Sequence, residues 1–175
     1  MGGDGEADGL VAALLEISFD TMNGMSNPDI DLMREALAEA QAAAEAGEVP
    51  IGAVAVVGGK IVGHGQNRVL RDVDPTAHAE MVALRAAAQM LENYRLLECE
   101  LFVTLEPCAM CAGAMIHARL KRLVYAASDR KAGAAGSVLE VLNHPRLNHQ
   151  MAVTSGVLAD ECGELLRGFF KERRA

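Results

Sequence analysis

Two short motifs constrain this chain of 175 residues more than anything else in it: His78-Ala79-Glu80 and Pro107-Cys108-Ala109-Met110-Cys111. Zinc takes imidazole and thiolate ligands, and working sites use three protein ligands with the fourth position open to water. His78, Cys108 and Cys111 supply three. Cys99 and Cys162 stand alone, and no second Cys-x-x-Cys or histidine pair closes the set. Cys108 and Cys111 share one face only within a helical turn, and a helix N-terminus favours their thiolate form. His78 and Glu80 are two apart, so they diverge in mid-helix and converge only on something lying off a helix start. The chain must therefore fold so that two helix N-termini aim at one point.

A carboxylate beside a metal-bound water can take its proton and hand it on to a substrate nitrogen and a leaving group. Zinc lowers the pKa of its bound water to about 7 in favourable sites, so hydroxide is available at neutral pH. Hydroxide with a proton shuttle is hydrolysis at an electrophilic carbon, and loss of an amine from an aromatic ring is deamination. Taken singly, the motifs have blander readings. Cys108-x-x-Cys111 alone can be a redox pair or two core residues, and a lone His78 a surface histidine. Together, each before a helix, they favour the metal.

Apolar residues make up 51% and charged residues 23%, an ordinary globular balance that excludes a disordered or collagen-like chain. No early apolar run approaches the roughly 20 residues a membrane span needs. Asp4, Glu6 and Asp8 stand where a secretory signal would be basic. With only four cysteines there is no disulfide framework. These features predict a cytoplasmic protein with no membrane partner. The net charge of −8 argues against a nucleic-acid partner until the chain is divided. Residues 1–48 hold 11 acids and one base, whereas residues 49–175 hold 13 acids and 15 bases. The bases cluster as Arg119-Leu-Lys-Arg122, Arg130-Lys131 and Lys171-Glu-Arg-Arg174, so a locally positive surface is compatible with an acidic protein.

Composition marks residues 1–27 as a flexible, acidic N-terminal extension, with a short helix over Leu10–Ile17 and a linker over Thr21–Asn27, and residues 28–175 as the zinc-dependent domain. Asp29 or Asp31 caps a helix to about Ala46 that presents Leu32, Leu37, Ala40 and Ala44, with Gly47 as its stop. Two apolar runs around Gly58-Gly59 read as a hairpin. Asp74-Pro75-Thr76 opens a helix through about Asn93, with Met81, Leu84, Ala88 and Leu91 at helical spacing. Glu100–Leu105, Arg122–Ala126 and Met151–Thr154 read as strands. Pro107 suits the first turn of a helix to about Arg119, and Asp160 opens a last helix ending near Arg173. The pattern predicts an α/β fold: a three-layer α/β/α sandwich with a central mixed sheet of about five strands, opened by a β-hairpin.

The stretch from about Asp29 to Arg174 resembles the bacterial tRNA-specific adenosine deaminases of the cytidine deaminase-like superfamily. The resemblance covers Glu48-Val-Pro-Ile-Gly-Ala-Val54, Asn67-Arg68, Asp74-Pro-Thr-Ala-His-Ala-Glu80, Asn93-Tyr-Arg-Leu96 and Val103-Thr-Leu-Glu-Pro-Cys-Ala-Met-Cys-Ala-Gly-Ala-Met115. It continues through His117-Ala-Arg119, Asp129-Arg-Lys-Ala-Gly-Ala-Ala-Gly-Ser137, Leu147-Asn-His149 and Phe169-Phe170. The zinc motif alone is shared by many deaminases; the later stretches are more specific. The resemblance implies hydrolytic conversion of adenosine to inosine at the wobble position of a tRNA anticodon, with hydroxide on the zinc attacking C6 and ammonia released. It implies one Zn²⁺ per subunit on His78, Cys108 and Cys111, and Glu80 as proton shuttle. Asn67 and the backbone around Ala79 would hold the flipped adenine, and Asp129 would contact the ribose–phosphate of the anticodon stem-loop. Asn148, His149, Phe169, Phe170, Arg173 and Arg174 would line the RNA path. The resemblance further implies a homodimer, the second subunit building part of the groove.

Aromatic rings beside terminal bases suit a splayed, single-stranded loop, by stacking and charge together. The plainer reading of Phe169-Phe170 is a helix end packed on the sheet, and Asn67 after Gly63-x-Gly65 can serve only to stabilise a loop. Cys99 and Cys162 read as small buried hydrophobes. Two rival functions stand beside the first: the same chemistry on a free base or nucleoside such as guanine or cytidine, and a zinc-stabilised RNA-binding module without catalysis. The retained Glu80 and the missing fourth ligand speak against the module.

Overall fold

The computed structural model describes residues 27–174, so the short helix over Leu10–Ile17 and nearly all of the extension lie outside the described residues. The elements run α1 (Pro28–Glu45), β1 (Gly52–Val57), β2 (Lys60–Gln66), α2 (Val69–Asp72), α3 (Ala79–Met90), β3 (Cys99–Leu105), α4 (Ala109–Ala118), β4 (Arg122–Ala127), β5 (Ala152–Ser155) and α5 (Ala159–Glu172). The five strands form one mixed sheet in the order β2-β1-β3-β4-β5. β1 is antiparallel to β2 and β3, while β3, β4 and β5 are parallel. Gly58 and Gly59 both have positive φ, 56° and 78°, the requirement of a tight type I′ hairpin turn.

Both sheet faces are covered, which is why β1 reads as an unbroken apolar run. Ala53 and Ala55 point to the α3/α4 side, where Ala83, Leu84, Met115, Leu101 and Tyr125 are buried. Val54 and Val56 point to the other side, with Met33 and Ala36 of α1, Phe102, Val124 and Cys162 of α5. The three-layer sandwich is therefore the observed architecture.

Several boundaries differ from the sequence expectation, each for a local reason. Asn27, not Asp29 or Asp31, caps α1: its side chain accepts from the Asp29 amide at 3.0 Å, and Pro28 occupies the first turn. Asp29 instead pairs with Arg122, which also reaches Glu100 at 3.0 Å. The buried stripe of α1 is Met33, Ala36, Ala40 and Ala43, with Leu32 and Leu37 only flanking it. Small side chains win here because the helix lies directly on the sheet: a Cβ on Gly52 would sit 2.1 Å from the Ala36 carbonyl oxygen.

Helix α3 starts at Ala79 rather than at Asp74 to Thr76. The Asp74 carboxylate accepts from the Thr76 amide at 2.7 Å and from its hydroxyl at 2.8 Å, and turn chemistry displaces helix. The helix stops at Met90, with Glu92 at φ 50°. Its buried face is Ala79, Glu80, Ala83, Leu84 and Ala87; Leu91 is exposed. The short α2 was not expected. Pro107 precedes the N-cap Cys108 instead of entering the first turn of α4.

Candidate metal centre and basic cleft

The strand directions gather the chemistry at one end of the sheet. β3 and β4 are parallel, so Glu106 to Cys108 and Ser128-Asp129 leave the sheet together. β1 runs the opposite way, so its beginning and the end of β2, with Asn67, lie at that same end. Open α/β sheets place ligands beyond the carboxyl ends of their parallel strands. The Glu106 amide donates to the Ala127 carbonyl at 2.8 Å, and the Arg68 amide to the Ala77 carbonyl at 2.9 Å. The second bond joins the end of β2 to the segment that carries His78.

His78 is the N-cap of α3 and Cys108 the N-cap of α4, so the two helix starts face each other. His78 Nδ1 lies 3.7 Å from Cys108 Sγ and 3.6 Å from Cys111 Sγ. All three potential ligand atoms fall within 4.8 Å of one another. A tetrahedral ion with metal–sulfur bonds of about 2.3 Å and metal–nitrogen bonds of about 2.0–2.1 Å needs nitrogen and sulfur about 3.6 Å apart. The two nitrogen–sulfur distances match such an ion, and no other group of three or more ligating side chains occurs among the described residues. All four cysteines are free thiols, so Cys108 and Cys111 are not consumed by a bridge.

The approach depends on glycine. A Cβ on Gly65 of β2 would lie 2.0 Å from the Ala79 carbonyl oxygen, and one on Gly63 2.5 Å from that of Ala83. Both positions let the first turns of α3 rest on bare strand backbone, which fixes the height of His78 and Glu80.

Glu80 is buried with 4% of its surface exposed. Burial pushes its carboxyl up to about 7, against the pull of its own amide and of His78. A hydrogen bond from the Cys111 thiol, then one with His78, draws Cys108 down to about 3. Cys111 is driven the other way by its bond to Cys108 and by burial, and the Cys108 contact raises His78. The two thiols are thus pushed in opposite directions, Cys108 toward thiolate and Cys111 toward thiol, and metal binding would displace the proton that remains. Burial first, then the neighbouring Glu100 and Glu161 carboxylates, take Cys99 and Cys162 up to about 11, as suits two inert core thiols.

Asn67 is buried and ties to a carboxylate that sequence reasoning passed over. Its Nδ2 donates to Glu48 at 3.3 Å, and Glu48 also accepts from the Arg71 amide at 2.8 Å and the Leu70 amide at 3.3 Å. That bond turns the Asn67 amide so that its oxygen faces away from Glu48. Nothing local in the sequence marks Glu48 as buried.

Asp129, Phe170 and Arg174 come together, with Arg130, Lys131, Arg167 and Lys171, around a cleft of about 850 Å³. Five cations and one carboxylate make this a positive region on an acidic protein. Arg167 was missed, although its spacing from Phe170, Lys171 and Arg174 puts all four on one helical face. Phe169 stands apart from the cleft. Its ring meets Phe170 edge-on at 5.5 Å and lies under the Arg173 guanidinium at 4.3 Å. Neither ring belongs to the buried core, which departs from a helix end packed on the sheet. Asn148 and His149 lie elsewhere, by the C-terminal end of α4. Arg119 donates to the Asn148 carbonyl at 3.1 Å, and His149 Nε2 donates to the Leu120 carbonyl at 2.7 Å. The basic run Arg119 to Arg122 is dispersed, with Lys121 on Glu98 and Arg122 on Asp29 and Glu100.

A family model described as MafB19-like deaminase matches residues 27–174. The chain belongs to that family of deaminases. The tRNA-specific adenosine deaminase of Haemophilus influenzae is 50% identical over 157 residues, covering 89% of this deaminase and 91% of the relative. That of Bacillus subtilis is 46% identical over 142 residues, covering 81% and 88%. A solved structure from a study of A-to-I editing by tRNA:A34 deaminases at the wobble position of transfer RNA superposes with a TM-score of 0.75. It is 43% identical, covering 78% of this deaminase and 99% of that chain. A guanine deaminase from Nitrosomonas europaea superposes with a TM-score of 0.71 at 28% identity, covering 80% and 83%. No helix among the described residues is long and apolar enough to cross a membrane.

Proposed function

We propose that this enzyme hydrolyses adenosine to inosine at the wobble position of a tRNA anticodon. The observation that carries the reading is the basic cleft beginning at the same end of the sheet as His78, Cys108 and Cys111. A free base needs no such surface, whereas a folded RNA strand needs phosphate contacts around the reacting base. The margin between 42–50% identity to tRNA-specific adenosine deaminases and 28–33% to guanine deaminases supports the same choice.

The metal is read as one zinc ion per subunit, since one nitrogen and two sulfur donors in tetrahedral reach suit it best. When bound, it supplies a Lewis acid that makes water deprotonation accessible near neutral pH. Glu80, buried beside the ligand triad, takes the proton of the attacking water. It passes that proton to the purine ring nitrogen, then takes the proton of the new C6 hydroxyl and delivers it to the amino group as the bond from C6 to nitrogen breaks and ammonia leaves. Asn67, turned by Glu48, and the backbone at Ala79 hold the flipped adenine. Asp129 meets the ribose–phosphate, Phe170 offers a ring face, and Arg174 with its neighbours holds phosphates. Phe169, Asn148 and His149 border the path, the last two from a separate surface that a second subunit brings into play. Leu147 is exposed beside Asn148 on that surface, an apolar point that suits a homodimer contact. A tRNA substrate favours a cytoplasmic protein.

Incubation with an anticodon stem-loop carrying adenosine at the wobble position, beside free adenosine, cytidine and guanine, tests the reading. Inosine formed in the stem-loop alone is expected; turnover of free bases only would overturn it. Metal analysis should return one zinc per chain.

A further inference from the structure

The buried carboxylate of Glu106 has no part in the chemistry above, yet it accepts four hydrogen bonds. Oε1 accepts from the Ala135 amide at 3.0 Å and the Ser137 amide at 3.1 Å. Oε2 accepts from the Asp129 amide at 2.9 Å and from the Ser137 hydroxyl. All four donors belong to one loop, residues 129–137, and all the acceptor capacity comes from the residue just before Pro107-Cys108. The packing is close enough that a Cβ on Gly133 would fall 2.4 Å from Glu106 Cδ. A second link runs alongside: the Ala134 amide donates to the Pro107 carbonyl at 2.8 Å, and Cys108 pairs with Gly133 as an isolated bridge. At its near end the loop carries Asp129, whose carboxylate accepts from the amides of Lys131 at 2.9 Å and Ala132 at 3.2 Å. Arg130 and Lys131 there line the basic cleft.

We propose that Glu106 is a positioning residue that fixes the basic loop 129–137 against the turn carrying Cys108, and so sets where RNA docks relative to the metal centre. The step from loop placement to RNA docking rests on the reading of the cleft as the RNA path; the tether itself does not. Both oxygens are engaged, each by two donors of the loop, so changing either one leaves part of the tether without an acceptor. Glutamine keeps the shape but turns an NH₂ group toward two of those four donors. The loss should therefore fall on loop placement and leave the ligands alone.

The test compares full-length, metal-loaded wild type with Glu106→Gln and Ser137→Ala. Three quantities are read: metal content, amide hydrogen exchange over 129–137, and kcat and KM on the anticodon stem-loop. Glu106→Gln should keep its metal, exchange faster at Asp129, Ala135 and Ser137, and raise KM about tenfold. Its kcat should stay within about twofold of wild type. Ser137→Ala, at an exposed position of the loop, should move KM about threefold in the same direction. The double variant should add little, since both changes break one interaction. Unchanged exchange and KM in both variants would overturn the proposal. So would loss of metal with a matching fall in kcat, because Glu106 would then act only as a support for Cys108. If wild type fails to deaminate the stem-loop, the functional reading falls, while exchange and metal content still judge the tether.

Discussion

The metal centre and the basic cleft sit at the same end of one sheet and are built in opposite ways. The centre is backbone-tight: His78 and Cys108 are helix caps, Glu80 is buried, and Gly65 admits Ala79 with no room for a side chain. The cleft is a surface of long cations from two distant segments, residues 128–131 and 166–174. Chemistry that needs atoms placed to a fraction of an ångström uses short side chains on rigid helix ends. Attraction of a polyanion tolerates mobile groups, because it depends on summed charge over several ångströms.

That contrast predicts failures of different kinds. Glu80→Ala, which removes the proposed proton carrier, should lower kcat by about 10²–10⁴ while zinc content and RNA affinity hold. Turnover equal to wild type would break the comparison at once, since the buried carboxylate would then be ornamental. Gly65→Ala attacks the same end through packing. Its Cβ meets the Ala79 carbonyl oxygen, so α3 must lift from β2, at a cost of about 1–3 kcal/mol. Thermal unfolding should shift down and metal content should drop with it. Retention of both would mean that the close approach is not what holds His78 in place.

The cleft should respond in slope more than in rate. Arg167→Ala and Lys171→Ala should each flatten the dependence of log affinity on log salt by about 0.7–0.9 if each meets one phosphate, with kcat almost unchanged. Variants at the metal end should leave that slope alone. A salt-independent affinity in wild type would remove the cleft from the RNA path altogether.

The same division explains what the sequence could show. The ligand triad was legible because its geometry is local: a cap residue and a thiol pair three apart carry their own directions. The sheet was legible from continuous apolar runs and the Gly58-Gly59 turn. Helix starts were less so, because Asp74 and Thr76 offer the backbone a turn as readily as a helix, and Pro28 lets Asn27 take the cap. The α1 and α3 core faces were misjudged toward leucine because contact with bare strand backbone selects alanine, a property of the partner strand. Arg119 to Arg122 and Lys171 to Arg174 look alike as text. Only the fold shows Arg122 spent on Asp29 and Glu100 while Arg174 stays in the cleft. Glu48 and Glu106 were invisible for a related reason: a buried carboxylate is defined by donors supplied from far along the chain.

The smallest expected effect concerns the acidic segment ahead of the described residues. Residues 1–24 contribute five acids and no base, and the cleft contributes five cations around one acid. Opposite charges on one chain attract over a Debye length of about 8–10 Å, so the segment is a potential competitor with RNA for the cleft. No residue assigned to the chemistry or to the cleft falls within 1–24. Deleting them should leave kcat within about twofold of the full chain. The informative quantity is then stem-loop affinity measured at low and at high salt. Equal affinities for the full and shortened chains at both salts would mean the two charged regions do not meet. Tighter binding by the shortened chain at low salt, fading as salt is added, would show that the acidic segment screens the cleft. The contrast between a rigid centre and a field-driven surface would then extend to the chain's own N-terminal residues, acting on the second and not on the first.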